Sequence, residues 1–173
     1  MHKTDRLIHV PPGEGEAFWV AGELVEIKAR SEDTGGAYSV TEEVWPPEVG
    51  PPPHVHHTQD ETFYVLDGEL EFVSGDIVIR AGAGSLVHVP KGMVRAYKNP
   101  GQASARAIVV FTPGGFEGFF EEAGEPAAAD PASPPAAGEP DPEGLTAVAA
   151  KYGCEILPPT SMQAANFSSS DRR

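Results

Sequence analysis

The stretch Gly50-Pro51-Pro52-Pro53-His54-Val55-His56-His57-Thr58-Gln59-Asp60-Glu61, running on through Thr62-Phe63-Tyr64-Val65-Leu66 to Asp67-Gly68, decides how the chain is read. On a strand, His54 and His56 lie two residues apart, so both imidazoles leave the same face. Glu61 opens the next strand after a turn, where a carboxylate can close a compact three-ligand set. Two histidines and one carboxylate with open positions suit non-haem Fe(II), and with a fourth ligand they suit Mn, Ni, Cu or Zn. A polar surface loop with clustered histidines would show the same spacing, so spacing alone leaves both readings open. Asp67-Gly68, set between two apolar runs, signals a hairpin, because the central residues of such turns favour positive φ.

Outward from this stretch the chain reads as short strands punctuated by Gly, Pro and Asp. The expected strands are Glu16 to Ala29, Ala37 to Trp45, Glu61 to Leu66, Glu69 to Ser74, Asp76 to Arg80, Ser85 to Val89, Met93 to Lys98 and Ala103 to Phe111. With no helix among them, they predict an antiparallel sandwich or closed barrel. Thr62 to Leu66 is apolar at nearly every position, so both faces should be covered; a second subunit is the expected cover, which predicts a homodimer. Past Thr112-Pro113 the character changes. Phe116, Phe119 and Phe120 have helical spacing and should dock one short helix on the barrel or its partner. Glu125 to Pro142 holds six Pro and six Ala and reads as an extended linker. Asp141-Pro142-Glu143 then offers a helix start, Gly153 a stop, and Cys154 to Leu157 one more short strand. Thr160 to Arg173 reads as disordered, and truncation after Gly124 is expected to leave a folded barrel.

His54-x-His56-x4-Glu61-x6-Gly68 resembles the first signature of the cupin superfamily, and Gly84-x5-Pro90-x-Gly92-x2-Arg95-x3-Asn99 resembles the second. The likeness extends over roughly Ala17 to Pro113. It implies an all-β antiparallel β-barrel of the double-stranded β-helix or jelly-roll kind, with a short helical C-terminal extension. The expected division is residues 1–113 for the barrel and 114–173 for the extension. Gly50-Pro-Pro-Pro-His-x-His, Gly84 to Pro90 and the tail beginning Phe111-Thr-Pro-Gly-Gly-Phe-Glu resemble small bacterial single-cupin proteins grouped with quercetin (flavonol) dioxygenases. That resemblance makes His54, His56 and Glu61 metal ligands, with oxygen and an enol-bearing substrate at the open positions.

Two positions depart from the pattern. Glu48 stands where the first motif opens with glycine, and Gly50 is the alternative for that turn. Arg95 stands where the second motif ends in its metal-binding histidine. A guanidinium has no lone pair to give and repels a nearby cation, which weighs against metal occupancy. Three readings follow. The three ligands hold the metal alone and Arg95 orients an anionic substrate; His57 or His88 replaces the missing ligand; or Arg95 pairs with Glu61 in a metal-free pocket that binds or isomerises an organic ligand. Tyr97 shares a face with Arg95, and with Arg95 and His88 it is a candidate substrate contact. Glu61 and Arg95 are the candidate catalytic pair.

Composition bounds the partners. Twelve Lys and Arg against 26 Asp and Glu give a net charge of −14, which argues against nucleic acid and anionic membranes. Eight acids and no base lie between Glu117 and Glu143, so much of that charge sits outside the barrel. A single cysteine, Cys154, and a polar N-terminus without a signal-like apolar run predict a cytoplasmic protein. The leading expectation is a metal-dependent dioxygenase-type oxidoreductase on a small aromatic or enolic substrate. The alternative is a metal-free cupin that binds, isomerises or cyclises a small organic ligand.

Overall fold

The computed structural model describes residues 6–127 and 141–161; most of the expected linker and most of the expected disordered end lie outside these residues. Among the described residues twelve strands and two α-helices run in the order β1 (Ala17–Val20), β2 (Glu23–Ala29), β3 (Ser39–Trp45), β4 (His54–His56), β5 (Asp60–Asp67), β6 (Glu69–Ser74), β7 (Ile77–Gly82), β8 (Leu86–Val89), β9 (Ala96–Lys98), β10 (Ala105–Thr112), α1 (Glu117–Ala123), β11 (Glu125–Pro126), α2 (Pro142–Lys151) and β12 (Cys154–Ile156). A seven-stranded sheet, ordered β11-β1-β2-β3-β10-β5-β8, faces a three-stranded sheet, β7-β6-β9, with the pair β12-β4 completing the wall. All pairings are antiparallel. The all-β cupin-type barrel with a short helical extension is therefore the observed architecture.

The single expected strand from Glu16 to Ala29 is broken at Ala21-Gly22, where both residues take positive φ (49° and 90°) and turn β1 back onto β2. Asp67-Gly68 does not close a hairpin. β5 pairs with β10 and β8, whereas β6 pairs with β7 and β9, so this dipeptide carries the chain from one sheet to the other. Gly68 is needed there for two reasons: its φ is +72°, and a Cβ would lie 2.8 Å from Ala105 Cα. The next turn, Gly75-Asp76, does close the hairpin of β6 and β7, with Ser74 opposite Ile77. Glu48 has φ +62°, a conformation that costs an L-residue roughly 1–2 kcal/mol. The glycine that the motif prefers at this place would relieve that cost. Gly50 packs so closely on β9 that a Cβ would sit 2.0 Å from the Tyr97 carbonyl.

Strand parity builds the core. Trp45, Phe63, Phe72 and Tyr97 meet inside, with ring centroids 4.9 Å apart for Phe63–Phe72 and Phe63–Tyr97. Phe116, the N-cap of α1, and Phe119 and Phe120 within it dock on the barrel as expected: all three are buried, and the Phe116 ring lies 4.3 Å from the His56 ring and 4.9 Å from that of Phe111.

The segment past Gly124, whose removal is expected to leave a folded barrel, contributes a strand to the barrel wall. β12 pairs with β4 in the register Cys154–His56 and Ile156–His54, so the C-terminal segment supplies the neighbour of the histidine-bearing strand. Asp141 caps α2 by accepting from Gly144 N at 2.8 Å, and Ala149 of that helix is fully buried. A strand of three residues does not advertise its partner locally, because the pairing spans about a hundred residues of chain. Among the described residues no helix is long and apolar enough to cross a membrane.

Candidate functional site

β4 has a barrel neighbour on each edge: β12 on one side, and on the other Arg95, whose backbone exchanges both hydrogen bonds with His54 (2.9 and 3.0 Å). Period-two alternation then aims His54 and His56 inward with Glu61 at the start of β5. All three are at most 5% exposed, and one ligand atom from each lies within 4.8 Å of the others. Arg95, bridged to His54, and Tyr97 of β9 join them, at 1% and 6% exposure. The structure thus brings together five of the residues singled out in the sequence.

The hydrogen bonds sort their roles. His54 Nδ1 donates to the Pro52 carbonyl at 2.8 Å, which fixes the tautomer and leaves the Nε2 lone pair uncommitted. His56 Nδ1 is buried and has no partner among the described residues. Arg95 donates from Nε (3.1 Å) and Nη2 (2.7 Å) to the same oxygen, Glu61 Oε2, and from Nη1 to the Met93 carbonyl at 3.1 Å. Glu61 Oε1 lies outside that grip and accepts from the Tyr97 hydroxyl at 3.5 Å.

Electrostatics follow from burial and from Arg95. Burial pushes the His54 imidazolium pKa down, and that of His56 down to about 3, so both rings are neutral donors near neutral pH. Burial alone would raise the Glu61 carboxyl; the Arg95 charge, with help from the histidines and the Arg95 hydrogen bond, outweighs it and holds Glu61 ionised. Burial, then Glu61, raises Tyr97 well above an ordinary phenol, so it stays a hydrogen-bond donor.

Two neutral imidazoles, one of them with its buried Nδ1 unpartnered among the described residues, and one carboxylate oxygen free of Arg95 form a three-residue donor set that fits a divalent transition metal. Arg95 acts on that set from behind, clamping the carboxylate while adding a like charge.

Two sequence candidates are not in the site. His88 lies on the outer face of β8: it is exposed, opposite Thr62, and bonds that residue's hydroxyl at 2.8 Å. Val87 and Val89 hold the inward parity, so Leu86, His88 and Pro90 all face out. His57 follows His56 by one residue and so points the other way, reaching Glu155 at 2.9 Å on the surface. Neither replaces the missing ligand.

The sequence reading missed the rest of the wall. A cavity of about 50 Å³ opens above the ligand set, and Glu23, Phe116, Phe119, Leu145, Ala149 and Ile156 are among the residues that line it. At about 10–15 Å³ per water-sized group it has room for a compact ligand. Glu23 was legible in principle, since it shares strand parity with the inward Val25 and Ile27. The helix and β12 residues were not, because nothing local fixes where they fold back.

Residues 40–111 match the cupin domain family, Cupin_2. Over 114 residues the chain is 30% identical to quercetin 2,3-dioxygenase of Bacillus subtilis (strain 168), a stretch that is 66% of this chain and 34% of that protein. The chain thus spans about a third of the length of the curated relative it matches. Among solved structures, oxalate decarboxylase from Bacillus subtilis superposes with TM-score 0.51 at 19% identity, covering 58% of this chain and 28% of that one. KdgF from Halomonas sp. gives TM-score 0.50 at 18% identity, covering 56% and 83%. At these identities the two structures speak to the fold alone.

Proposed function

Since the chain is a cupin-superfamily member resembling the quercetin dioxygenase-like group, we propose that it is a metal-dependent, dioxygenase-type oxidoreductase acting on a compact enolic or aromatic substrate. His54, His56 and Glu61 would hold a divalent transition metal. When bound, such a metal supplies Lewis acidity and, for Fe, Mn, Ni or Cu, a redox-active centre for oxygen chemistry. The observation that carries this reading is the set of three buried donor atoms within 4.8 Å, two of them on neutral imidazoles. In it Arg95 fixes the Glu61 carboxylate, Tyr97 offers a phenolic proton to a substrate oxygen, and the phenylalanines of α1 keep water from the cavity. The test is elemental analysis of the purified protein, then titration with Fe(II) and Mn(II). One metal per chain is expected, with affinity lowered more than about 100-fold in His54→Ala. A wild type that takes up neither metal overturns the reading.

The Arg95 clamp on Glu61 Oε2 favours a second reading, in which the guanidinium stands in for a cation and the metal-free pocket binds or isomerises an organic ligand. The same titration separates the two.

We also propose that the chain forms a homodimer. On the outer face of β5 and β8 the cross-strand pair Tyr64–Leu86 is 47% and 64% exposed, and a second copy laid on this face would cover both side chains. Leu86→Arg is expected to shift sedimentation from dimer to monomer with no change in fold; a wild type that sediments as a monomer rules the dimer out.

A further inference from the structure

Inside the barrel three carboxyl groups face one cation. Glu23, Glu43 and Glu61 are each at most 6% exposed, and Arg95 is the buried cation among the described residues, with both of its carboxylate bonds spent on Glu61. Glu23 and Glu43 have no such partner. They lie on adjacent strands, where Val25 is opposite Glu43, so the two acids sit diagonally on one face. Their hydrogen bonds come from neutral donors: the Trp45 indole N–H to Glu23 Oε2, and the Thr41 hydroxyl to Glu43 Oε1 at 2.7 Å. Two neighbouring buried carboxylates without a counter-ion are costly, and protonation removes the cost. Of the two, Glu23 lines the cavity that also meets His54, His56, Glu61 and Tyr97. With the indole occupying Oε2, the acidic proton belongs on Oε1.

We propose that Glu23 is a carboxylic acid that donates a hydrogen bond to an anionic or carbonyl oxygen of the molecule held in this cavity, and so selects ligands that present one. This role does not depend on the metal: it serves an enolate and an organic acid alike, whether or not His54, His56 and Glu61 hold an ion, so it and the proposed activity can fail separately. Burial first, offset in part by the Trp45 bond and reinforced by Glu61, lifts the Glu23 carboxyl from 4.5 to about 8. Glu43 is raised as well, by burial and then by Glu23. The other groups facing this pocket keep one charge state through that range: Glu61 ionised with Arg95, His54 and His56 neutral, the Tyr97 phenol and the Cys154 thiol protonated. Glu122 and Lys151, on the two capping helices, pair with each other at the surface.

Infrared spectroscopy of the metal-free wild type tests the protonation without any variant. A carboxylic-acid carbonyl band is expected at neutral pH, fading as pH rises through about 8, and diminished in Glu23→Gln. Pyruvate, whose carboxylate is ionised throughout and which carries a carbonyl oxygen, serves as the binding probe. Calorimetry should show wild-type affinity falling about tenfold or more from the acid to the alkaline side of that pH. Glu23→Gln keeps an acceptor for Trp45 and a donor for the ligand but cannot ionise, so its affinity should be nearly flat. Thermal melts give a third readout: a raised carboxyl stabilises fully below 4.5 and loses that contribution as pH rises to about 8, a loss Glu23→Gln should lack. Absence of the infrared band, parallel pH profiles in the two proteins, or no pyruvate binding by the wild type even at acid pH would each overturn the proposal.

Discussion

Arg95→Ala is expected to destabilise the protein by about 3–5 kcal/mol, measured by urea or thermal unfolding, because it strands an ionised carboxylate inside the barrel. The side chains of Arg95 and Glu61 are 1% and 2% exposed, so water cannot replace the two lost hydrogen bonds. The pH dependence should change sign. In the wild type the Glu61 carboxyl is held below its ordinary value of 4.5, so its contribution is present above that pH and is lost as pH falls through the folded value. Without Arg95, burial dominates and raises Glu61, so the variant is most stable at acid pH and weakens as pH rises. Arg95→His places a neutral ring nitrogen beside the ligand set and should tighten divalent metal binding relative to wild type. Equal, tight metal binding by both proteins would refute a suppressing role for Arg95. A wild-type melting midpoint in Arg95→Ala would show that the ion pair is not what holds Glu61.

A chain ending at Ala127 is expected to lose stability on the order of 5 kcal/mol, a large part of what a small domain possesses. The deletion removes β12, and with it the ladder along β4 that positions His54 and His56. It also uncovers the apolar contacts of Ala149, Cys154, Leu145 and Ile156 with the barrel and α1; complete burial of a Leu or Ile side chain is worth roughly 1.5–3 kcal/mol, and Leu145 and Ile156 are partly buried. The cavity wall opens at the same time, since Leu145, Ala149, Cys154 and Ile156 line it. Binding of a hydrophobic dye and a broadened, lowered melt are the expected observations. A truncated protein that melts cooperatively at the wild-type midpoint would return the segment to the status of an appendage.

The barrel and four of its inward polar groups were legible in the sequence because a strand alternates its faces with a fixed period. That period alone turns His54-x-His56 into two side chains on one face, and places Tyr97 with Arg95. It failed for His88, since parity says which residues share a face and not which face is inside; the pairing of Thr62 with His88 decided that. Asp67-Gly68 carried a sound turn signal, yet a tight turn fits a hairpin and a crossing between sheets alike. Only the contacts of β5 with β10 and of β6 with β9 separate the two. The motif also marked Arg95 as the residue that breaks the ligand pattern, but its bond to Glu61 Oε2, which leaves Oε1 to the Tyr97 hydroxyl, is a matter of ångströms that no spacing encodes. Least legible was the return of Cys154 to Ile156 onto β4, and with it the cavity roof and the isolation of Glu23. Those depend on non-local burial: a short strand gains its stability from the edge it meets, and only the folded chain determines which edge that is.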